Sequence, residues 1–571
     1  MKFLPSQLAF VLKSRTARHN IGYLIRFILM LLAVITLYSV LFHVIMQWEG
    51  KEHSWLTGFY WTLTVMSTLG FGDITFSSDL GRLFSIVVLV SGVVFLLVML
   101  PFTFIQFFYA PWLEAQAKAR IPRELPPGTR NHVIIVGNDP TALNLSDRLT
   151  QYGHAHAVLC PDARRTTELH DMGYPAMLGD HDDPDTYKRL RAGQAAMVVA
   201  LESDVRNTNV TFTLREVSPD VPVVCKADQD ESMDILTLAG STHVYQFTRL
   251  LGHTLARRIM GGVMPVSVLG RFDGLMVAEA PVKRTGLGGK TLRLSGVRGA
   301  TGVNVLGIWE RGRFTVPGPD APLPESAVLV LGGTEEQIKA FERFSTAPPA
   351  GDGRAVILGG GRVGIAVAEQ LREQGVPYRI VEKNAKLPHL DEHATIGSAA
   401  DLEVLERAGI RAASTAFVTT HDDDLNIYLT IYCRRLRPDI QIISRATLDR
   451  NVSIMHTAGA DLVMSHASLV ATTVLNLLTP GMVLMLTEGL NLFRTPLPPS
   501  LAGKTLAASG IRPETGCNVV GMRTAGGMAL NPGPESLLEA GSELVLIGDS
   551  DSEKRFLERY GAAGGARTAP H

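Results

Sequence analysis

Two stretches of this chain leave little choice but a helix that crosses a membrane. Residues 27–46 read FILMLLAVITLYSVLFHVIM, with His43 the one ionisable side chain. Residues 83–108 read LFSIVVLVSGVVFLLVMLPFTFIQFF, and no charge stands between Arg82 and Glu114. About 20 apolar residues carry a helix across the hydrocarbon core, so each stretch is long enough. Lipid offers no partner to backbone N–H and C=O groups, and a helix satisfies them within its own segment. The first stretch is too long for the core of a cleaved signal peptide and lacks a small-residue cleavage site. Lys2, Lys13, Arg15, Arg18 and Arg26 precede the first span, and Lys118, Arg120 and Arg123 follow the second. The positive-inside rule then places both ends of the hairpin, and with them both termini, in the cytoplasm. The expected location is the cell (inner) membrane, in multi-pass form.

Between the spans lies SWLTGFYWTLTVMST (54–68), aromatic but too short to cross, followed by Leu69, Gly70, Phe71, Gly72 and Asp73. A re-entrant half-helix fits this length, because irregular backbone at membrane depth is tolerated only where it is buried or lines water. The two glycines permit the positive φ angles that let successive carbonyls point the same way. Repeated about an axis, such a row replaces the hydration shell of an ion. The segment also reads as an ordinary glycine turn between two helices. With its flanking spans, however, TLGFGD resembles the selectivity filter of potassium channels. The resemblance implies that the carbonyls of Thr68, Leu69, Gly70 and Phe71, with the Thr68 hydroxyl, hold K+, and that Gly72 and Asp73 complete the filter. Leu69 replaces the usual Val and Phe71 the commoner Tyr, which keeps a nonselective cation channel as an alternative. The same resemblance makes Gly92 a gating hinge. Close helix packing is the equal reading, since small residues line contacts between membrane helices.

Past residue 122 the pattern changes to strands such as HVIIV and MVVAL alternating with helical segments, as βαβ units with a parallel sheet require. HVIIVGNDPTALNLSDRLTQYG (132–153) aligns with RAVILGGGRVGIAVAEQLREQG (354–375) at a constant offset of 222. GGKTLRLSGVRGATGVNVLG (288–307) aligns with AGKTLAASGIRPETGCNVVG (502–521) at an offset of 214. The soluble region is therefore one two-lobed module written twice, a Rossmann-like doubly wound lobe followed by a small α+β lobe. A pore followed by two such modules resembles the prokaryotic RCK (regulator of K+ conductance) channels. That family implies a homotetramer with eight RCK domains in a cytoplasmic gating ring. The expected layout is a membrane α pore domain over 1–110, with spans about 23–46 and 83–108 and pore helix and filter at 54–73, then a linker at 111–130. Lobes follow at 131–262 and 263–346 for the first module and at 352–484 and 485–560 for the second, with a disordered tail at 561–571.

In the second module Gly359, Gly361 and Gly364 form GGGRVG directly after the strand AVIL and before a helix opened by Arg362 and Val363. Such glycines make the turn, let backbone approach a pyrophosphate and pack helix on strand, while the helix N-terminus attracts phosphate. Glu382 stands 21 residues after Gly361 at the end of the next strand, where an acid bonds ribose hydroxyls. This favours NAD or ADP over a 2′-phosphorylated dinucleotide, as a regulatory ligand. Asp401, Thr419 and His421 lie near the ends of later strands and complete the expected nucleotide set. A Rossmann lobe that keeps its glycines for packing alone is the bland alternative. The first module keeps Gly137 but carries Asp139, Ala142 and Cys160 where the copy has Gly361, Gly364 and Glu382, so it is expected to have lost the dinucleotide.

The RCK resemblance also implies a Ca2+ site at Asp204 and Asp228, although Lys226 stands where a third carboxylate would be. Asp422 and Asp423, in the run 421–424, are a second Ca2+ candidate. Acid runs of this kind are usually solvated loops or helix caps, and a hard cation wants several oxygens. A net charge of −1 argues against a nucleic-acid partner. Four scattered cysteines without CxxC spacing suit reduced thiols. A membrane-tethered NAD-dependent oxidoreductase is the alternative from another class. The small lobes offer it no acid–base pair, so the chain is not expected to be an enzyme.

Overall fold

A computed structural model describes residues 15–109, 121–259, 266–272, 274–310, 312–345, 353–480, 483–487, 489–530 and 532–560. The chain divides into two compact units, Met1–Ile121 and Pro122–His571. The first half of the expected linker (111–120) and the tail (561–571) lie outside the described residues, as do Lys2, Lys13, Lys118 and Arg120.

The first unit holds helices α1 (Arg15–Trp48), α2 (Trp55–Met66) and α3 (Asp79–Gly92). Two apolar helical segments are long enough to span, Ile25–Trp48 and Asp79–Thr103. The second begins four residues before the expected 83, because Ser78 caps it by accepting from Gly81 N at 3.1 Å. After Gly92 the helix continues in π form over Val93–Met99, where Leu100 N–H donates to Phe95 O. Pro101 cannot donate to the preceding turn, and widening the helix just before it is a known way to accommodate that loss. Helix α2 has 12 residues, about 18 Å, too short to cross. It is held by an aromatic core in which Phe42 stacks on Trp61 at 5.0 Å and Trp61 on Phe84 at 5.7 Å.

The second unit contains four sheets. Strands β1 (Val133–Val136), β2 (His156–Cys160), β3 (Ala176–Leu178), β4 (Met197–Ala200), β5 (Val223–Lys226) and β6 (His243–Tyr245) form a parallel sheet ordered β3-β2-β1-β4-β5-β6. Next come β7 (Ser267–Phe272), β8 (Leu275–Pro281), β9 (Asn304–Glu310), β10 (Arg313–Thr315) and β11 (Val328–Gly333), an antiparallel sheet ordered β10-β9-β11-β8-β7. The second module repeats the first order with β12 (Ala355–Leu358), β13 (Tyr378–Glu382), β14 (Ala394–Ile396), β15 (Thr415–Val418), β16 (Gln441–Ala446) and β17 (Leu462–Ser465), arranged β14-β13-β12-β15-β16-β17. Its small lobe has β18 (Val483–Thr487), β19 (Leu490–Pro496), β20 (Asn518–Thr524), β21 (Gly527–Leu530) and β22 (Glu543–Asp549). Read from its far edge, the order β21-β20-β22-β19-β18 repeats the first small lobe strand for strand. The central strands β1 and β12 are Val, Ile and Leu buried along their whole length, as a parallel sheet covered on both faces demands.

The modules clasp each other through four helices, α4 (Pro140–Gln151), α6 (Phe247–Ala256), α7 (Arg362–Glu373) and α9 (His466–Leu478), with α5 (Asp204–Val217) and α8 (Asp423–Leu436) lying elsewhere on the two sheets. Helix α4 packs on α9 and α6 on α7, so each module offers its first helix to the other's last. This is the reciprocal pattern of a two-fold interface, made here within one chain. The contact is close: a Cβ at Gly252 would come within 2.6 Å of Val363 O. Leu145, Leu149 and Phe247 of the first module share one buried core with Val470, Val474 and Leu475 of the second.

Candidate functional site

The pore segment is built by hydrogen bonds at the end of α2. Leu69 N–H and Gly70 N–H both donate to Thr64 O, at 2.9 and 3.1 Å. In a planar trans peptide the N–H of one residue opposes the C=O of the residue before it. The carbonyls of Thr68 and Leu69 therefore point away from the pore helix. Thr68, Gly70 and Gly72 have φ of 65°, 44° and 75°, alternating with Leu69 and Phe71. Thr68 holds a left-handed conformation that costs a β-branched residue energy, a strain that concentrates at functional sites. Tyr60, which the sequence reading did not single out, donates from its hydroxyl to Asp73 Oδ2 at 3.0 Å and ties pore helix to filter end. Gly92 lies against the other side of the same helix end: a Cβ there would fall within 2.7 Å of the Met66 carbonyl carbon. This close contact with the end of the pore helix is what the packing reading of Gly92 expects.

Glu49 staples the top of this unit. Its carboxylate accepts from Ser77 N at 2.9 Å, Ser78 N at 2.8 Å, Ser78 Oγ at 2.5 Å and Lys51 Nζ at 3.1 Å. The Ser78 hydroxyl and the two backbone N–H groups hold its pKa at about 2, below the ordinary 4.5. Because the folded value is depressed, the staple contributes in full above pH 4.5 and is lost as pH falls through about 2. The thermal stability of the protein in detergent is expected to fall as pH drops through that window. Glu49→Gln should lower stability at neutral pH and flatten the acid slope; an unchanged slope would contradict the staple.

In the second module β12 ends at the glycine turn. Gly359 has φ 110°, and Thr419 donates its hydroxyl to Gly359 O at 2.9 Å. A Cβ at Gly364 would fall on the Gly359 carbonyl oxygen, so only glycine lets α7 start this close to the strand. At Gly361 nothing lies within 4 Å of a would-be Cβ, which leaves the backbone open to approach. Glu382, at the end of β13, accepts from Gly360 N at 2.7 Å and Asn384 N at 2.8 Å. Val363 is buried under the helix start. A cleft of about 410 Å3 opens over this turn, lined by Gly360, Gly361, Arg362 and, from the first module, Asp228, Gln246 and Arg249. His389, with φ 75°, stands at its rim. The first module's share of this wall was not apparent in the sequence.

Of the expected nucleotide set Gly361 and Arg362 line the cleft, Gly359, Val363, Gly364 and Glu382 build the turn beside it, and the other three take other positions. Thr419 is buried beneath the turn and braces it. Asp401 caps the helix Leu402–Arg407 by accepting from Glu403 N, and His421 is exposed beyond β15; neither lines the cleft. In the first module Asp139 accepts from Ala142 N at 2.9 Å, so a carboxylate of the chain itself sits at the N-terminus of α4. An anion there opposes a phosphate at the same place.

The carboxylates singled out for Ca2+ are engaged with backbone N–H groups and cations of the chain itself. Among the described residues no three His, Cys, Asp or Glu side chains gather to hold a metal ion. Asp204 accepts from Asp228 N at 2.7 Å and Gln229 N at 3.0 Å. Asp423, its counterpart in the repeat, accepts from Thr447 N at 2.8 Å and Leu448 N at 3.0 Å. Each therefore opens its helix, α5 or α8, and clamps the loop that follows the neighbouring strand. Asp422 caps α8, accepting from Asp424 N and Leu425 N. Asp228 pairs with Arg362 at 2.9 Å and Lys226 at 3.6 Å. Nearby, burial pushes His466 down to about 4, with the Arg445 and Lys226 cations adding to the effect, so it is neutral at pH 7.

Comparison with known proteins agrees with this layout. Residues 27–109 match an ion channel family model, 133–246 and 355–466 each match a TrkA-N domain, and 492–561 match a TrkA-C domain. A solved structure described as GsuK channel bound to NAD is 37% identical, with TM-score 0.55, over 95% of this chain and 100% of that one. The chain belongs to the two-span potassium channels with tandem RCK domains. The chain is also similar to potassium channel protein 1 of Methanocaldococcus jannaschii, 23% identical over 56% of this chain and 96% of that protein. Probable potassium channel protein 2 of the same organism is 25% identical over 55% of this chain and 94% of its own length. The present chain is a ligand-gated potassium channel, a membrane protein with its regulatory RCK modules in the same chain.

Proposed function

We propose that the chain is one subunit of a homotetrameric K+ channel in the cell membrane, gated by NAD or an ADP-like nucleotide on the Gly359–Gly364 turn. Residues 1–110 form the pore, and the modules at 131–346 and 352–560 supply eight RCK domains to a cytoplasmic ring, with both termini on that side. The observation that carries the reading is the cleft over the glycine turn, where the second module's phosphate-binding loop meets a wall from the first. Gly359, Gly361, Arg362, Val363 and Gly364 supply turn and helix start, Glu382 the ribose acceptor, and Thr419 the brace. A similar channel described as bound to NAD supports the choice of ligand. In the pore, Thr68 to Asp73 are exposed on a single subunit, as a carbonyl row completed by symmetry copies would be.

The nucleotide acts as a regulatory ligand, not as a redox partner. It gates only through its differential affinity for open and closed rings. Four sites per tetramer let a modest difference at each add up to a steep response. The test is K+ flux through the purified protein in liposomes, with NAD added to the face that exposes the modules. Flux should depend on NAD; folded protein that passes no K+ with or without it would overturn the reading.

A further inference from the structure

The repeat makes it straightforward to ask what the nucleotide cleft has that its counterpart lacks. Arg362, the first residue of α7, reaches into the other module: its Nη1 donates to Asp228 O at 2.9 Å and lies 2.9 Å from Asp228 Oδ1. Asp228 follows β5, in the loop whose backbone Asp204 clamps. Across the pseudo-two-fold, Pro140 stands in place of Arg362 and Thr447 in place of Asp228. Arg362–Asp228 therefore has no ionic counterpart at the equivalent positions, and it stands on the side that keeps the glycine turn. Both of its members line the cleft. On the Asp139 side the helix N-terminus already carries a carboxylate, and the inter-module contacts of α4 lie further along it, Asn144 to Asp449 and Arg148 to Glu553.

We propose that Arg362–Asp228 is a tie between the modules that an anionic ligand displaces. The proposal rests on the nucleotide reading above. A phosphate at the start of α7 and the Asp228 carboxylate compete for one guanidinium, which cannot be neutralised by deprotonation. When the phosphate takes it, the first module's loop after β5 loses its hold on the second module's turn. Binding at one module is thereby converted into freedom between two. Lys226 stays on Asp228 as a partner, so release leaves no bare carboxylate in the interface. The pair is half open to water, with side chains 54% and 28% exposed, so the competition costs the ligand a modest factor.

The experiment is NAD affinity of the full-length protein in detergent, measured by calorimetry for wild type, Asp228→Asn, Arg362→Gln and the double variant. Asp228→Asn should tighten NAD about two- to fivefold by freeing the guanidinium. Arg362→Gln should weaken it, and in that background Asp228→Asn should have no further effect. Asp230→Asn removes another acid of the same wall that has no bond to Arg362, and it measures the long-range field alone. Equal tightening by Asp228→Asn in both backgrounds, or tightening no greater than with Asp230→Asn, would overturn the tie and leave the nucleotide site standing. Wild-type protein that binds no NAD would overturn the nucleotide reading, and the tie with it.

Discussion

Gly364→Ala is expected to abolish the NAD response while leaving an intact K+ pore. The added methyl would fall on the Gly359 carbonyl oxygen, with Thr419 Oγ1 3.0 Å away on another side. Neither neighbour can yield cheaply. The oxygen belongs to a residue already at φ 110°, and Thr419 is fixed by its bonds to Leu358 O and Gly359 O. Overpacking of this kind costs ~1–3 kcal/mol, so α7 must shift from β12 and NAD affinity should fall about 10- to 100-fold. NAD titration of the full-length variant measures this. Affinity within about twofold of wild type would show that the turn does not hold the nucleotide. Gly361→Ala separates ligand from fold, because its methyl meets nothing in the protein. Lost binding in a variant of unchanged stability then identifies the open space as the phosphate's.

Gly92→Ala is expected to cost the pore its conduction rather than adjust its gating. Its methyl meets the backbone of Met66, the last residue of α2, two positions before Thr68. Thr64, two residues further back, holds Leu69 and Gly70 by their N–H groups. Pushing that helix end displaces the residues that aim the carbonyls. A strain of ~1–3 kcal/mol in each subunit is large against the fine balance of a folded protein. K+ flux should fall at least about tenfold with and without NAD, together with a lower unfolding temperature of the detergent-solubilised protein. A stable Gly92→Ala channel with ordinary flux and altered open probability would restore the hinge reading and contradict the packing role.

The parts of this chain that were legible in the sequence are those whose physics is local. The spans announce themselves by length, and the glycine turn sits between one strand and one helix. The repeat even extends to the strand order of both small lobes. What stayed hidden depends on partners far along the chain. Arg362 and Asp228 are 134 positions apart, and no pattern within either segment points to the other. Asp204 and Asp423 look like ligand carboxylates because acids after strands often are. In the structure they accept from N–H groups 24 positions on, a pairing visible only once neighbouring strands are paired. Gly92 carried two readings because a glycine in a membrane helix looks the same whether it bends or packs. Thr419 was placed correctly at a strand end, but its hydroxyl turns under the turn to brace it.

The central claim is that a nucleotide on the Gly359–Gly364 turn controls K+ movement through the TLGFGD pore. It is tested most directly by K+ flux into liposomes carrying wild type or Gly364→Ala, each with and without NAD. Both proteins should pass K+, and NAD should change the wild-type flux while leaving that of Gly364→Ala unchanged. An equal NAD response from the two proteins, or no K+ flux from folded wild type under either condition, would contradict it.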